Sequence, residues 1–406
     1  MQAKIQQVIT NQGNKLRLSI VSSALVGVLV GFGSSVTIVI AAAHGVGATP
    51  AQVASWITVL CITMGISSPL LSWLLRMPIV TAWSTPGAAL IGATAVAGVP
   101  TIGIEAAVGA FLLAAVLIIL CAAIKPLADL IARIPAAIAA AMLAGVLIGF
   151  VIDLFDQAAT DPLLVLPLIA VFLAVRLFNA TWAVIAVLGT AVAWAAILGR
   201  IAPLETGLAF SSLELVSPVF DTTVLLGLGV PLFLVSMASQ NLPGFAVLKA
   251  AGYEPPARSA LTITGLASLL SAPFGAHTTT MAAITASLCT GPDVHPDPAE
   301  RWKCGLFYGL FYLILGTIGV SIVAGFAALP TAIIATVAGL VLIGPLMGSL
   351  HAGLSAEGTR FPAVLTLTAT ASGLSLFGIG SAFWGLALGL VALGLDRIMK
   401  KNREAL

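Results

Sequence analysis

Residues 271–290, SAPFGAHTTTMAAITASLCT, interrupt a chain whose flanking sequence is hydrophobic on both sides. Gly275 breaks the apolar run, a polar cluster from His277 to Thr280 follows, and residues 281–288 resume as an apolar helix. That helix has about three turns, whereas a full membrane span needs about 20 residues. A half-length helix that opens on threonine hydroxyls leaves backbone N–H groups and a positive dipole end inside the membrane, which suits an anion. The stretch therefore predicts part of a transporter binding site, against the plainer interpretation of a loop with threonine caps.

A second stretch of the same kind lies at residues 83–90, WSTPGAAL. Pro86 suits a first helical turn, and Ser84 or Thr85 can cap it. Residues 134–149, IPAAIAAAMLAGVLIG, align without gaps to residues 329–344, LPTAIIATVAGLVLIG, with eight identities in sixteen at an offset of 195. The same offset carries Ser84 and Thr85 onto Thr279 and Thr280. A shared offset predicts a duplicated chain in which each half contributes one broken helix.

The composition excludes a soluble domain. Hydrophobic residues make up 60% of the 406 residues and charged residues 8%, and the mean hydropathy is +1.14. A polytopic membrane protein is expected, with the polar residues 1–17 leading into an uncleaved first span. The net charge of +2 says nothing about nucleic acid, and no nucleic-acid partner is expected. The four cysteines stand singly without metal-like spacing, so we expect packing roles for all of them.

The predicted fold is an all-α polytopic membrane protein with fourteen transmembrane segments, arranged as two inverted repeats of seven. Segments 3 and 10 are predicted to be broken half-helices with short extended stretches. Cytoplasmic N- and C-termini place sixteen of the seventeen Lys and Arg residues inside, with Arg200 alone outside, in line with the positive-inside rule. An odd number of spans per half gives the halves opposite orientations. Two broken helices should then meet N-terminus to N-terminus near the bilayer midplane.

Such a cavity would hold a small carboxylate through hydroxyls and helix dipoles, because the broken helices and span eight contain no Lys or Arg inside the membrane. Span eight, residues 222–249, adds a run of polar side chains that can also serve as interhelical hydrogen bonds alone. Aromatic residues near the breaks can flank a ring or simply pack. The predicted substrate-binding residues are Phe32, Trp83, Ser84, Thr85, Ser239, Gln240, Asn241, Phe274, His277, Thr278, Thr279 and Thr280.

His277 is also the candidate for proton coupling. It is the titratable side chain at the predicted half-helix start, and histidine changes charge near neutral pH. In the functional interpretation it takes up a proton together with the anion. The alternative is a neutral histidine hydrogen-bonded to backbone in the break.

Three segments resemble the benzoate:proton symporter family: AWSTPGAALI at residues 82–91, SMASQNLPGFAVLKAAGYEPP at 236–256 and APFGAHTTTMAAITASLCTG at 272–291. That family is similar to nucleobase, sulfate and bicarbonate transporters with a seven-plus-seven inverted repeat. The resemblance implies a core formed by residues 18–133 and 222–326, a gate formed by 134–199 and 327–399, and alternating access by movement of core against gate. Gate-domain dimers are common in similar folds, so a homodimer is a further expectation. One departure concerns coupling: the nucleobase branch has carboxylates where this chain has Ser239 and about Ala283, so a scheme built on them cannot be transferred.

The leading functional hypothesis is a secondary active transporter in the bacterial cytoplasmic (inner) membrane that imports benzoate or a similar aromatic carboxylate with protons. The alternatives are a carrier of another small anion or of a nucleobase, and an anion channel. An enzyme is least favoured, because the sequence has no metal-ligand cluster, nucleophile elbow or phosphate loop. No metal or other cofactor is expected, and the partners are the substrate, protons and the lipid bilayer.

Overall fold

Helices make up most of the structure, a computed structural model that describes residues 18–33, 35–95, 102–124, 135–178, 180–203, 210–374, 376 and 381–404. The first half contains α1 (Leu18–Gly33), α2 (Val36–Gly45), α3 (Pro50–Leu75), β1 (Thr81–Trp83), α4 (Thr85–Gly92), α5 (Ile104–Ala123), α6 (Ala136–Thr160), α7 (Pro162–Arg176) and α8 (Ala180–Ile197). The second half contains α9, the helical run Thr222–Lys249, followed by α10 (Ala257–Ser271), β2 (Thr279–Met281), α11 (Ile284–Thr290), α12 (Lys303–Thr317), α13 (Gly319–Ala327), α14 (Thr331–Leu354), α15 (Arg360–Ala371) and α16 (Ser381–Glu404).

The described part of the chain contains seven helical stretches long and apolar enough to cross a bilayer, or eight if α12 and α13 count as one span. The chain is therefore a membrane protein with several spans. Residues 1–17, whose charges entered the predicted orientation, and the predicted domain boundary at residues 133–134 lie outside the described residues. All four cysteines are buried and carry free thiols, as the packing interpretation requires.

Two predicted spans are not continuous. The first span breaks at Ser35, between α1 and α2, where the backbone leaves the helical conformation with φ −141°. A hydroxyl that bonds to nearby backbone competes with the helix, and the Ser35 Oγ donates to the Gly31 carbonyl at 2.7 Å. Span eleven bends by 62° between α12 and α13 at Ile318. There Ser211 donates its N–H to the Thr317 carbonyl and accepts from the Val320 N–H, so a distant segment fixes the bend.

The helices pack in two groups. In one, α6 packs against α14, α15 and α16, and α7 packs against α8. In the other, α3 packs against α12, α5 against α10, and α1 against both α11 and α12. Gly309 allows the α3–α12 contact, since a Cβ added there would lie 2.2 Å from the Pro69 Cγ.

Residues 210–221 form an extended strap across the ends of the second group of helices. Val216 donates its N–H to the Pro273 carbonyl at 2.7 Å, and Val219 donates to the Glu105 carbonyl at 2.9 Å. Ser55 binds the same strap, because its Oγ accepts from the Glu214 N–H at 2.9 Å. These hydrogen bonds satisfy backbone N–H groups of the strap that would have no partner in an isolated extended segment.

The loop after α11 is held by a buried arginine. Arg301 donates from Nη1 to the Thr290 carbonyl at 2.9 Å, at the end of α11, and from Nε to the His295 carbonyl at 2.7 Å. Tyr253 donates to the Pro298 carbonyl at 2.8 Å. Burial raises the pKa of the Tyr253 phenol, so this donor keeps its proton at neutral pH. The loop thus fixes the far end of the short helix α11.

Candidate functional site

The two broken segments meet in a short antiparallel ribbon. Strand β1 pairs with β2 in the register Thr81–Met281, Ala82–Thr280 and Trp83–Thr279. The pairing continues at each end, through Ser84 N–H to the Thr278 carbonyl and Ala282 N–H to the Val80 carbonyl, both at 3.0 Å. Helix α4 leaves one end of the ribbon and α11 leaves the other. Both interruptions therefore share one hydrogen-bonded unit.

Side chains satisfy the outward-facing amides of this ribbon. The Thr81 N–H donates to the Ser68 Oγ at 2.9 Å, and the Thr279 N–H donates to the Ser268 Oγ at 2.8 Å. The Met281 N–H donates to the Asn241 Oδ1 at 2.9 Å. An unpaired backbone group inside a membrane costs several kcal/mol, so non-helical backbone needs such partners. Helices α3, α10 and α9 each supply one of them.

The break in the first half has the predicted capped helix start. Ser84 stands at the N-cap of α4, and its Oγ accepts from the Gly87 N–H at 3.1 Å. Pro86 lies in the first turn, where its missing N–H removes no helical bond. Thr85 is half-buried, whereas Ser84 is fully buried.

The break in the second half differs from the prediction. Thr278, Thr279 and Thr280 do not cap a helix. Thr279 and Thr280 belong to strand β2, and α11 begins only at Ile284, after Ala283 and without a side-chain cap. Residues 281–283 were therefore wrongly predicted as helical. Threonine is stiff at Cβ and suits extended backbone, and β1 provides the pairing partner.

The hydroxyls of these threonines are engaged elsewhere. Thr278 pairs with the Ser236 hydroxyl at 2.6 Å and Thr279 with the Thr63 hydroxyl at 2.9 Å. Thr280 donates to the Ala82 carbonyl at 3.1 Å. The 195-residue offset also fails at the breaks, because the two strands begin at Thr81 and Thr279, 198 residues apart.

His277 is fully buried beside the ribbon, with both ring nitrogens bonded. The Trp56 indole N–H donates to Nδ1 at 3.0 Å, and Nε2 lies 3.0 Å from the Ser84 carbonyl oxygen. An indole N–H only donates, so Nδ1 accepts and the ring proton resides on Nε2. These two bonds are the arrangement expected for the alternative interpretation, a neutral histidine hydrogen-bonded to backbone in the break. Its role in proton coupling stays a prediction.

The polar residues of span eight fall into two kinds. Asn241 is buried and holds strand β2 through its Oδ1. Ser239 and Gln240 lie in the wider π-helical turn Met237–Asn241 and are half-buried. Their side chains form no hydrogen bond to the described residues, so their polar groups are available to a ligand.

Two of the three predicted aromatic residues lie together. Phe32 and Trp83 make an edge-to-face contact with centroids 5.6 Å apart, and the Trp83 indole N–H donates to the Ser35 Oγ at 2.8 Å. This bond joins the break in span one to the ribbon. Phe274 lies instead where the strap crosses, with its carbonyl accepting from the Ser55 hydroxyl at 3.2 Å. No ring contact joins Phe274 to the other two aromatics in the described structure.

The chain matches the family model described as benzoate membrane transport protein over residues 14–395. The chain belongs to this benzoate transport family. It is 40% identical to the inner membrane protein YdcO of Escherichia coli over 390 residues, which cover 94% of this chain and 97% of that protein. It is 35% identical to the benzoate membrane transport protein of Acinetobacter baylyi, with 92% of this chain and 94% of that protein covered.

Solved structures show the same fold at low identity. The transmembrane domain of the cyanobacterial bicarbonate transporter BicA is similar with a TM-score of 0.58 and 16% identity, covering 93% of this chain and 99% of that one. SLC26A9 is similar with a TM-score of 0.64 and 14% identity, covering 98% of this chain and 70% of that one. This member of the benzoate transport family therefore shares the membrane transporter fold of these two solved proteins.

Sequence reasoning missed several residues that build the site of this family member. Trp56, Ser68 and Ser268 hold His277 and the ribbon edges. One usable signal was present in span two. Thr63 and Ser67 are four residues apart within an apolar segment, as are Ser68 and Ser72, so the hydroxyls of each pair lie on the same side of the helix. The partner of each hydroxyl was not readable from that pattern.

The site carries no nearby positive side chain in sequence. No Lys or Arg occurs between Arg76 and Lys125 or between Arg258 and Arg301. No group of three His, Cys, Asp or Glu residues among the described residues lies close enough to hold a metal ion. The chemistry available at the ribbon is that of hydroxyls, amides, helix starts and aromatic ring edges.

Proposed function

We propose that the protein is a secondary active transporter that imports benzoate or a similar aromatic carboxylate together with protons. Membership of the benzoate transport family supports the substrate class, since the Acinetobacter relative is a benzoate membrane transport protein. The observation that carries the proposal is the ribbon between the two broken segments, from which two short helices start inside a membrane fold. Discontinuous helices of this kind form substrate sites in transporters.

The proposed substrate site lies where α4 begins, beside α9. The Ser84 hydroxyl accepts from Gly87 and keeps its own hydrogen free to donate to a carboxylate. Thr85, Ser239 and Gln240 supply half-buried polar groups, and Phe32 with Trp83 supplies ring edges for the aromatic part. Asn241, His277 and Thr278 to Thr280 are proposed to shape the site, because their polar groups already bond to protein. Phe274 stays a predicted contact of the substrate.

The proposed mechanism is alternating access, in which a core moves against a gate. The core is assigned to residues 18–133 and 222–326 and the gate to residues 134–199 and 327–399. The separate packing of α6 with α14, α15 and α16 supports a gate unit. The boundary runs close to the site, since the turn Met237–Asn241 contacts α6, and Gly92 at the end of α4 faces Phe150 of α6. Movement at this boundary would open the site to either side.

The membrane arrangement is also a proposal. Fourteen segments in two inverted repeats, with both termini in the cytoplasm, agree with the charge distribution of the sequence. A location in the bacterial inner membrane is supported by the Escherichia coli relative, which is an inner membrane protein. A homodimer through the gate helices completes the proposal.

The decisive experiment is uptake of labelled benzoate by purified protein in liposomes, with and without an imposed proton gradient. We expect saturable accumulation that the gradient drives. Accumulation of another small acid or a nucleobase instead of benzoate would replace the substrate assignment. Steady single-channel currents would replace the carrier mechanism with that of an anion channel.

A further inference from the structure

The bonding of His277 suggests a role different from proton transfer. His277 is the titratable residue within the two breaks, and its ring bridges helix α3, through Trp56, to the N-cap of α4, through Ser84. Its own backbone belongs to the stretch that leads into β2. One side chain therefore joins three elements that meet at the proposed substrate site.

The hydrogen bonds leave no room for a second ring proton. Nδ1 already accepts from the Trp56 indole N–H, so a proton on Nδ1 would face another donor at 3.0 Å. Nε2–H donates to the Ser84 carbonyl, which also accepts from the Ala88 N–H at 2.8 Å. The ring fills its donor and acceptor capacity as a neutral imidazole.

The surroundings supply no charge that would favour an imidazolium. The Trp56 ring lies 5.7 Å from the imidazole, and Phe111 from α5 packs edge-on against Trp56 at 5.3 Å. From α9, Ser236 faces the neighbouring Thr278 hydroxyl. No Asp, Glu, Lys or Arg from the described residues acts on His277. A buried charge without a partner is costly, so these surroundings favour the neutral ring.

We propose that His277 is a neutral positioning residue, that Trp56 fixes its tautomer, and that the proton co-transported with the substrate does not reside on it. The bridge holds Ser84 in place, and Ser84 in turn caps α4 and presents its hydroxyl to the proposed site. The transport experiments on this inference rest on the proposed function, whereas the tautomer of His277 can be measured without it.

Three variants test the transport role in liposomes. His277→Gln keeps an acceptor for Trp56 and a donor for Ser84 but cannot titrate, and His277→Leu removes both. We expect a proton gradient still to drive benzoate accumulation by H277Q, with the pH profile of the wild type, while its KM rises by less than that of H277L. H277L is expected to raise KM at least about tenfold with a smaller change in kcat, because it displaces the cap without changing the number of protons moved. Trp56→Phe should change KM in the same direction, and its effect should not add to that of H277L.

One result with H277Q would overturn this inference. If H277Q still exchanges benzoate across the membrane without a gradient but no longer accumulates it when a gradient is imposed, His277 carries the proton and the inference is overturned. Absence of benzoate transport by the wild type would refute the proposed function instead.

NMR of isotope-labelled histidine provides the test that is independent of transport. The His277 signal is identified by its absence from H277Q or, should that variant fail to fold, by its change in W56F. We expect the Nε2–H tautomer, unchanged from about pH 8 to about pH 5 in the wild type. A doubly protonated ring or the Nδ1–H tautomer in that range would overturn the inference.

Discussion

Two serines one turn apart on α10 allow a sharp test of how the ribbon is held in the membrane. Ser268 and Ser271 are both buried and both donate to helix carbonyls. Only Ser268 also accepts a bond from the ribbon, from the Thr279 N–H at 2.8 Å. Ser268→Ala therefore leaves a buried backbone donor unpaired, whereas Ser271→Ala removes a hydroxyl and leaves no donor unpaired.

The size of the effect follows from that one amide. An unpaired buried donor costs about 1–3 kcal/mol. Each 1.4 kcal/mol is tenfold in an equilibrium constant. S268A should therefore reduce the ratio of molecules with a formed ribbon to molecules with an opened ribbon by about 5- to 150-fold. The removed hydroxyl of S271A bonds only to a carbonyl of its own helix, so its cost should stay below about 0.5 kcal/mol.

The assay is benzoate binding to detergent-purified protein, together with the midpoint of unfolding by denaturant for each variant. S268A should bind more weakly and unfold earlier than S271A, which should resemble the wild type. Equal behaviour of the two variants, or a larger loss in S271A, would refute the claim that side chains from neighbouring helices sustain the ribbon.

Asn241→Leu should lower the free energy of unfolding by about 1–3 kcal/mol, because it removes the acceptor of the Met281 N–H, while Gln240→Leu should weaken benzoate binding without that loss. Reversed effects would mean that Asn241 contacts substrate. Phe32→Leu removes the edge-to-face contact with Trp83 and should raise the KM for benzoate by about 2- to 12-fold, with no comparable change for a small aliphatic acid transported as a control. Equal changes for both acids would argue against a ring contact. Gly109→Ala places a Cβ 2.2 Å from the Val219 carbonyl oxygen and should destabilise the strap by about 1–3 kcal/mol in thermal unfolding, whereas Gly149→Ala, with open space at its Cβ, should not. Equal stability of these two variants would show that the strap moves away from the added methyl group at no measurable cost in stability.

The sequence alone was sufficient for features that depend on local chemistry. A hydrophobic fraction of 60% required a membrane protein, and Pro86 after Ser84 marked a capped helix start. Gly275 adopts a φ of +86°, a conformation that suits glycine, so the break that it marks was also readable. The motifs around these residues indicated the benzoate transport family, to which the chain belongs.

Only the tertiary structure decided what the polar residues at the breaks do. A row of threonines fits a helix cap or a strand, and strand β1, far away in the sequence, decided for the strand. For the same reason, the side chain of Asn241 accepts from the Met281 N–H and the Trp56 indole donates to His277. A polar side chain in a membrane must find a partner, but its type and spacing do not say which group arrives from another helix. Packing decides the partner, because a polar group inside the membrane becomes hydrogen-bonded only when distant segments of the chain come together.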